Sequence, residues 1–198
     1  MNRIGKLTAI CGVVLVSFAP LAAGAQDDDQ SMERDLTVVQ RPIYNLHPEH
    51  HGALDVNAWT DRRSYRPGDK VHLKVRASRG AYITVIDVGT SGRTTVLFPN
   101  RRAHDNWVDA GKELRLPDSD DNWAIQVGGP SGIEVIKVFA STSQRPIYNI
   151  TDLTNGDVFT VFRHEGGDAS RDLSVVLDHD HRGQWAETVN LVRIHGGD

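Results

Sequence analysis

The residues best suited to do chemistry in this sequence are its nine histidines. His47, His50 and His51 lie near the start, and His164, His179, His181 and His195 lie toward the end. In Asp178-His179-Asp180-His181 an extended backbone puts alternate residues on one side, so His179 and His181 could share a divalent ion with His164 or Glu165. Neutral imidazoles suit zinc or copper, the only cofactors the sequence suggests. Against that reading, there is no His-Glu-x-x-His pair, and solvated surface histidines account for the same pattern. A calcium loop fails. Asp178, Asp180 and Gly183 fit its first, third and sixth positions, but Arg182 takes a ligand position and Val189 stands where the bidentate glutamate is required.

Nucleophilic chemistry has less support. Ser131 sits in Gly129-Pro130-Ser131-Gly132, which is not the Gly-x-Ser-x-Gly elbow, and Gly128 to Gly132 lacks the lysine of a phosphate loop. Closely spaced glycines are what a tight turn requires. Asp118, Asp120 and Asp121 could in principle do glycosidase work, yet a run of like charge after Pro117 is the composition of a solvated loop. Trp123 and Trp185 fall in strand patterns and are expected in the core, whereas Trp107, between Asn106 and Val108, is expected to be exposed. Exposed aromatics flanked by polar groups mark binding sites, which raises a carbohydrate or peptidoglycan ligand as one alternative. No catalytic constellation emerges, and an enzyme is not expected.

The elements that must position these residues begin with an export signal. Arg3 and Lys6 precede an apolar run from Leu7 to Phe18, then Pro20 and the small residues Ala23-Gly24-Ala25. This is the three-part layout of a secretory signal peptide over residues 1–25, and the run is too short for a stable membrane span. A periplasmic or secreted location follows. Cys11, the single cysteine, lies inside that leader, so the mature chain is expected to lack disulfides and thiolate metal sites. The formal net charge of −4 falls by two more when Arg3 and Lys6 are removed. Such a balance speaks against a duplex nucleic-acid partner, which needs a concentrated positive face. No later run is long enough to cross a bilayer.

Residues 26–53 read as a disordered leader and connector. They stay polar until Leu36, and Pro42 and Pro48 speak against a helix. Residues 54–195 read as one β-rich domain, whose length suits a single core. Leu54, Val56 and Ala58 alternate with polar neighbours, and Arg66-Pro67-Gly68-Asp69 spells a turn. Val71, Leu73 and Val75 then alternate with His72, Lys74 and Arg76. Ala81 to Val88 is apolar on both faces, as a central strand should be. Thr94 to Phe98, Leu114 to Leu116, Trp123 to Val127, Ile133 to Ala140 and Trp185 to Ile194 supply further strands. Asn155-Gly156 predicts a hairpin pairing residues 147–153 with 158–162, and Asp168 a short helix that puts Ala169, Leu173, Val176 and Leu177 on one face. Arg41-Pro42-Ile43-Tyr44-Asn45 recurs letter for letter at Arg145 to Asn149. Without similarity around it, the repeat reads as two alike connectors framing the domain; competition of both copies for one sheet edge is the alternative.

Tyr65-Arg66-Pro67-Gly68-Asp69, Ala81 to Ile86, Thr95-Val96-Leu97-Phe98-Pro99-Asn100, Leu116-Pro117, Gly129-Pro130-Ser131-Gly132-Ile133-Glu134 and Ala140-Ser141 come in an order that resembles the bacterial domain-of-unknown-function 4384 family. Gln184 to Val189 is similar to that family's closing strand, so the resemblance spans roughly residues 54–195. It implies an exported bacterial β-rich module and no particular activity.

Short strands separated by frequent turns predict a mainly β fold, a two-layer sandwich of about eight strands with at most one short helix. The expected function is a non-enzymatic interaction or assembly module that binds an envelope protein through loops 89–93, 99–111 and 128–132. Its candidate binding residues are Arg93, Asn100, Arg101, Arg102, Trp107 and Ser131. A divalent-metal-binding protein using His164, His179 and His181 is the alternative from another class.

Overall fold

The computed structural model describes residues 23–47, 52–144, 147–148, 153–163, 168–171, 173 and 183–196. Val71, Leu73 and Val75 are buried while His72 and Arg76 are exposed, as their alternation predicts. The segment is two strands, Lys70–Val71 (β3) and Leu73–Ala77 (β4), broken at His72. β4 pairs antiparallel on one side with Val56–Thr60 (β1) and on the other with Glu113–Leu116 (β8), forming a three-stranded sheet. The Arg66–Asp69 turn forms as expected, with Asp69 N donating to Arg66 O at 3.0 Å and Gly68 at φ 92°.

The two-sided apolar run Ala81–Val88 (β5) lies within an eight-stranded sheet. On one side of β5 come Thr94–Phe98 (β6) and the hairpin of Leu153–Asn155 (β11) and Thr160–Phe162 (β12); on the other come Gly132–Ser141 (β10), Trp185–Ile194 (β13) and Ser64–Tyr65 (β2). Trp107–Val108 (β7) pairs with the start of β5, and Ile125–Gln126 (β9) pairs with β3. The fold is mainly β, as expected. Four of the strands among the described residues, β2, β3, β7 and β9, are only two residues long and left little periodicity to read.

Both faces of the large sheet are covered. Ile83 and Val85 of β5, with Ile136 and Val138 of β10, pack toward the three-stranded sheet and its Leu73, Val75 and Leu116. Ile86, Val88, Val135 and Phe139 face the other way. That second face is covered by the amino-terminal helices Ala23–Arg34 (α1) and Arg41–Tyr44 (α2), through Met32 and Ile43, by Leu36 between them, and by Ile147, Ala169 and Leu173. Residues 168–171 and 173 are helical, as the Asp168 signal suggests, whereas Val176 and Leu177 lie outside the described residues.

Three expectations need correction. Residues 26–46 are not a disordered leader: Met32, Leu36 and Ile43 are almost fully buried in the apolar cluster on this face of the sheet. Pro42 does not exclude a helix either. It stands in the first turn of α2, where its missing N–H would have had no partner. The hairpin is displaced as well, since Leu153 pairs with Phe162 and Asn155 with Thr160, leaving a four-residue loop closed by Gly156 N donating to Phe159 O at 2.9 Å.

Gln40 locks the amino-terminal segment down. It is fully buried, and its Nε2 donates to the carbonyls of Val88 and Gly89, each at 3.1 Å, and of Ile133 at 2.6 Å. These carbonyls flank the point where pairing of β5 with β10 ends, so the amide takes the place of the missing ladder partner. Gln40→Ala is expected to cost about 1–3 kcal/mol in urea unfolding and to make residues 23–44 the first to exchange amide hydrogens. Unchanged protection there would show the latch to be idle.

Candidate functional site

Asp87 is the one charged side chain in β5. Alternation turns it to the face of Ile83 and Val85, and Glu134 of β10 to the same face as Ile136. Asp87 lies opposite Ile136 in the β5–β10 register, so Glu134 is its diagonal neighbour, within reach for long side chains. Over this pair opens a cavity of about 520 Å³, within the size of small-ligand sites. Val71, Ile125 and Val127 form one wall, and Val158, Phe159 and Val161 form the opposite one. Gly89, Thr90, Ser91 and Arg93 make the rim together with Gly128 and Gly129.

Each wall is held by contacts that the local sequence dictates. The Pro67-Gly68 turn fixes the β9 side, with Gly68 N donating to Val127 O at 3.0 Å, Val127 N to Asp69 O at 2.9 Å, and Gln126 Nε2 to Gly68 O at 3.0 Å. The β11–β12 loop is held from outside by Arg101, whose backbone N–H donates to Val158 O at 3.1 Å and whose Nη1 donates to Gly156 O at 3.4 Å. Phe159 meets Trp123 edge to face, with ring centroids 5.7 Å apart. The rim loops are joined where Thr90 Oγ1 donates to Pro130 O at 3.2 Å. Gly132, at φ 148°, allows this approach, since a Cβ there would stand 2.6 Å from Thr90 Cγ2.

The electrostatics of the floor are unusual. Burial, reinforced by the neighbouring charge of Glu134, holds the Asp87 carboxyl well above its usual range, and burial pushes Glu134 up to about 7. Among the described residues neither carboxyl makes a hydrogen bond or ion pair with a donor. Two acids are thus embedded beside hydrocarbon walls with no cation to answer them, an arrangement more common at functional sites than in structural cores.

The residues singled out from the sequence fall in different places. Arg93 is at the cavity rim, exposed, and the loops 89–93 and 128–132 that carry Thr90, Gly128 and Gly129 meet there. Asn100 is no surface contact. It is 5% exposed and caps its own loop, its Nδ2 donating to Leu97 O at 2.9 Å and its Oδ1 accepting from the N–H groups of Arg102 and Ala103. Arg101 braces the wall from behind, and Arg102 and Ser131 are exposed outside the cavity lining. Trp107 is 44% exposed and stacks edge-on against Tyr82, at the opposite end of β5 and roughly 15 Å of strand from Asp87. Trp123 and Trp185 are buried, as expected.

His164, His179 and His181 lie outside the described residues. Among the described residues no group of three or more histidine, cysteine or acidic side chains could hold a metal ion. No described helix is long and apolar enough to cross a membrane. Sequence reasoning passed over Asp87, Glu134 and the Val158–Phe159 wall. The available signal was Asp87 itself, a charge inside a run otherwise apolar on both faces, where an acid is costly unless it serves a purpose.

No curated protein and no solved structure matches the chain. The model of a family described as Domain of unknown function (DUF4384) matches residues 64–144. That segment runs from β2 through β10 and so contains both floor carboxyls, Arg93 and the 128–132 loop, while the β11–β12 wall lies beyond it. Over residues 64–144, therefore, the chain is similar to the DUF4384 family that its motifs resemble.

Proposed function

We propose that this protein is a non-enzymatic binding module of the bacterial envelope, periplasmic or secreted, which holds another envelope protein through the loops around the cavity. One observation carries this reading: the 89–93 and 128–132 loops converge with the 156–159 loop on an open cavity of about 520 Å³ with apolar walls and unanswered carboxyls. Recognition elements on loops fixed by a rigid sheet are the usual arrangement for binding. The apolar export segment and the family resemblance support the location.

Capture from bacterial envelope extracts tests it. Val158→Trp, which fills the mouth of the cavity, is expected to reduce retention of the partner by about tenfold, whereas Trp107→Ala, at the far end of β5, leaves retention unchanged. The reverse outcome moves the binding surface to the Trp107 end and overturns the proposal. Turnover of an envelope polysaccharide by the purified protein, abolished by Glu134→Gln, would also overturn it, because paired carboxyls are the equipment of glycosidases.

A further inference from the structure

We propose that the cavity is a receptor for an organic cation, a primary ammonium or guanidinium on an aliphatic stem such as a lysine or arginine side chain of the partner, with Asp87 and Glu134 as its acceptors. The inference rests on the cavity being the binding site and names the chemistry it takes. Asp87 lies deep beneath neighbouring atoms, and the exposure it keeps is toward the cavity. Glu134 reaches the same space from the adjacent strand, its Oε1 lying 3.8 Å from where a Cβ on Gly89 would stand. Two strands therefore deliver acceptors to one cavity, and among the described residues no donor meets them.

The walls narrow the choice. Beside Thr95 and Gln126 the walls are the hydrocarbon of Val71, Val127, Val158 and Phe159, which suits an aliphatic stem better than the bound waters of a small inorganic cation, and the volume exceeds such an ion many times over. Hydrocarbon walls ending in carboxyls match a lysine or arginine, which buries its methylenes and keeps its charge at the tip. A guanidinium fork can engage both acids at once. An anionic or neutral ligand would leave the two acceptors unanswered.

Other charges near the floor are few. Arg93 from the β5–β6 loop and Asp157 from the β11–β12 loop stand at the mouth, and β3, β6, β9 and β12 turn only uncharged side chains into the cavity. Burial keeps both floor acids protonated to higher pH than usual, so an arriving cation must displace a proton. Affinity is thus expected to rise with pH through about 7, the value to which Glu134 is pushed.

Titration of the full chain with acetyl-Leu-Lys-Leu-amide, followed by amide resonances of Gly89, Val127 and Gly129, tests the assignment. Saturable shifts at these amides are expected, with affinity falling about tenfold when the probe lysine is acetylated and again in Asp87→Asn/Glu134→Gln. The same probe should bind more tightly at pH 8 than at pH 6. Equal binding of the acetylated probe, or better binding of acetyl-Leu-Glu-Leu-amide, overturns the cation assignment while the cavity stands. Absence of any shift at the cavity, with partner capture still lost in Val158→Trp, also overturns it. Capture indifferent to Val158→Trp removes the binding reading beneath it. The amide variants keep the shape of the acids, and unchanged amide spectra elsewhere confirm their fold.

Discussion

Replacing Glu134 with glutamine is expected to stabilise the unliganded protein at pH 8 by about 2–3 kcal/mol and to change it little at pH 4. The folded chain holds the Glu134 carboxyl near 7 because burial disfavours its charged form, whereas the unfolded chain titrates it near 4.5. A raised folded value means that the folded state binds the proton more tightly. The stabilisation from that proton is complete below about pH 4.5 and is lost progressively as pH rises through about 7. At about 1.4 kcal/mol for each pH unit of difference, the loss at pH 8 approaches the figure above. Asp87 adds a loss of the same sign. Urea unfolding at the two pH values checks this: the wild type should weaken on going to pH 8 and Glu134→Gln should weaken much less. Parallel curves for the two proteins would show that the floor acids are solvated. A cationic ligand should restore at pH 8 the stability that ionisation of the floor acids removes.

Removing Glu187 should be costlier still. Lys137 of β10 is fully buried, its Nζ 2.5 Å from Glu187 Oε2 on β13 and donating to Tyr44 O of α2 at 3.2 Å. Oε2 is paired by charge rather than by an aligned hydrogen bond, while Oε1 lies 2.6 Å from Nδ1 of the exposed His47. Burial pushes the Lys137 pKa down and Glu187 works against that, so without its partner the ammonium would be stranded among Phe139 and its neighbours. Glu187→Ala is expected to cost about 3–5 kcal/mol near neutral pH. Lys137→Met in the same chain should recover part of the loss, because removing both charges leaves no unpaired ion. The sign of the pH effect is fixed too. A lysine whose folded value is lowered gains stability as pH rises past it, so the Glu187→Ala deficit should shrink toward pH 10. A deficit that is flat with pH, or unrelieved by Lys137→Met, would locate the loss in packing instead.

What the sequence revealed and what it hid follow from the same physics. β4, β5, β6 and β10 were legible because each buries a face long enough for alternation, or the absence of it, to register. The Pro67-Gly68 turn was legible because only glycine suits its backbone. The amino-terminal covering was not. Met32, Leu36, Gln40 and Ile43 are a sparse set in a polar stretch, and they are buried because the sheet face opposite them is wide and apolar. That face also explains how the two copies of the Arg-Pro-Ile-Tyr-Asn sequence are used. Ile43 and Ile147, alike in position within the repeat, are both buried in the cluster on this one side of the sheet. The cavity was hidden because its acids come from strands some fifty residues apart, whose register no local pattern reveals.

The place of Gln40 gives the molecule a mechanical economy. Its amide grips the reverse side of the very strand ends whose front surfaces bear Asp87 and Glu134. By thermodynamic reciprocity, any steadying of residues 23–44 that follows from firming the front would be matched by an equal slackening of the front when those residues are peeled away. The protein's amino-terminal cover is in that sense a gauge, mounted on the back of the wall, for whatever presses on its other side.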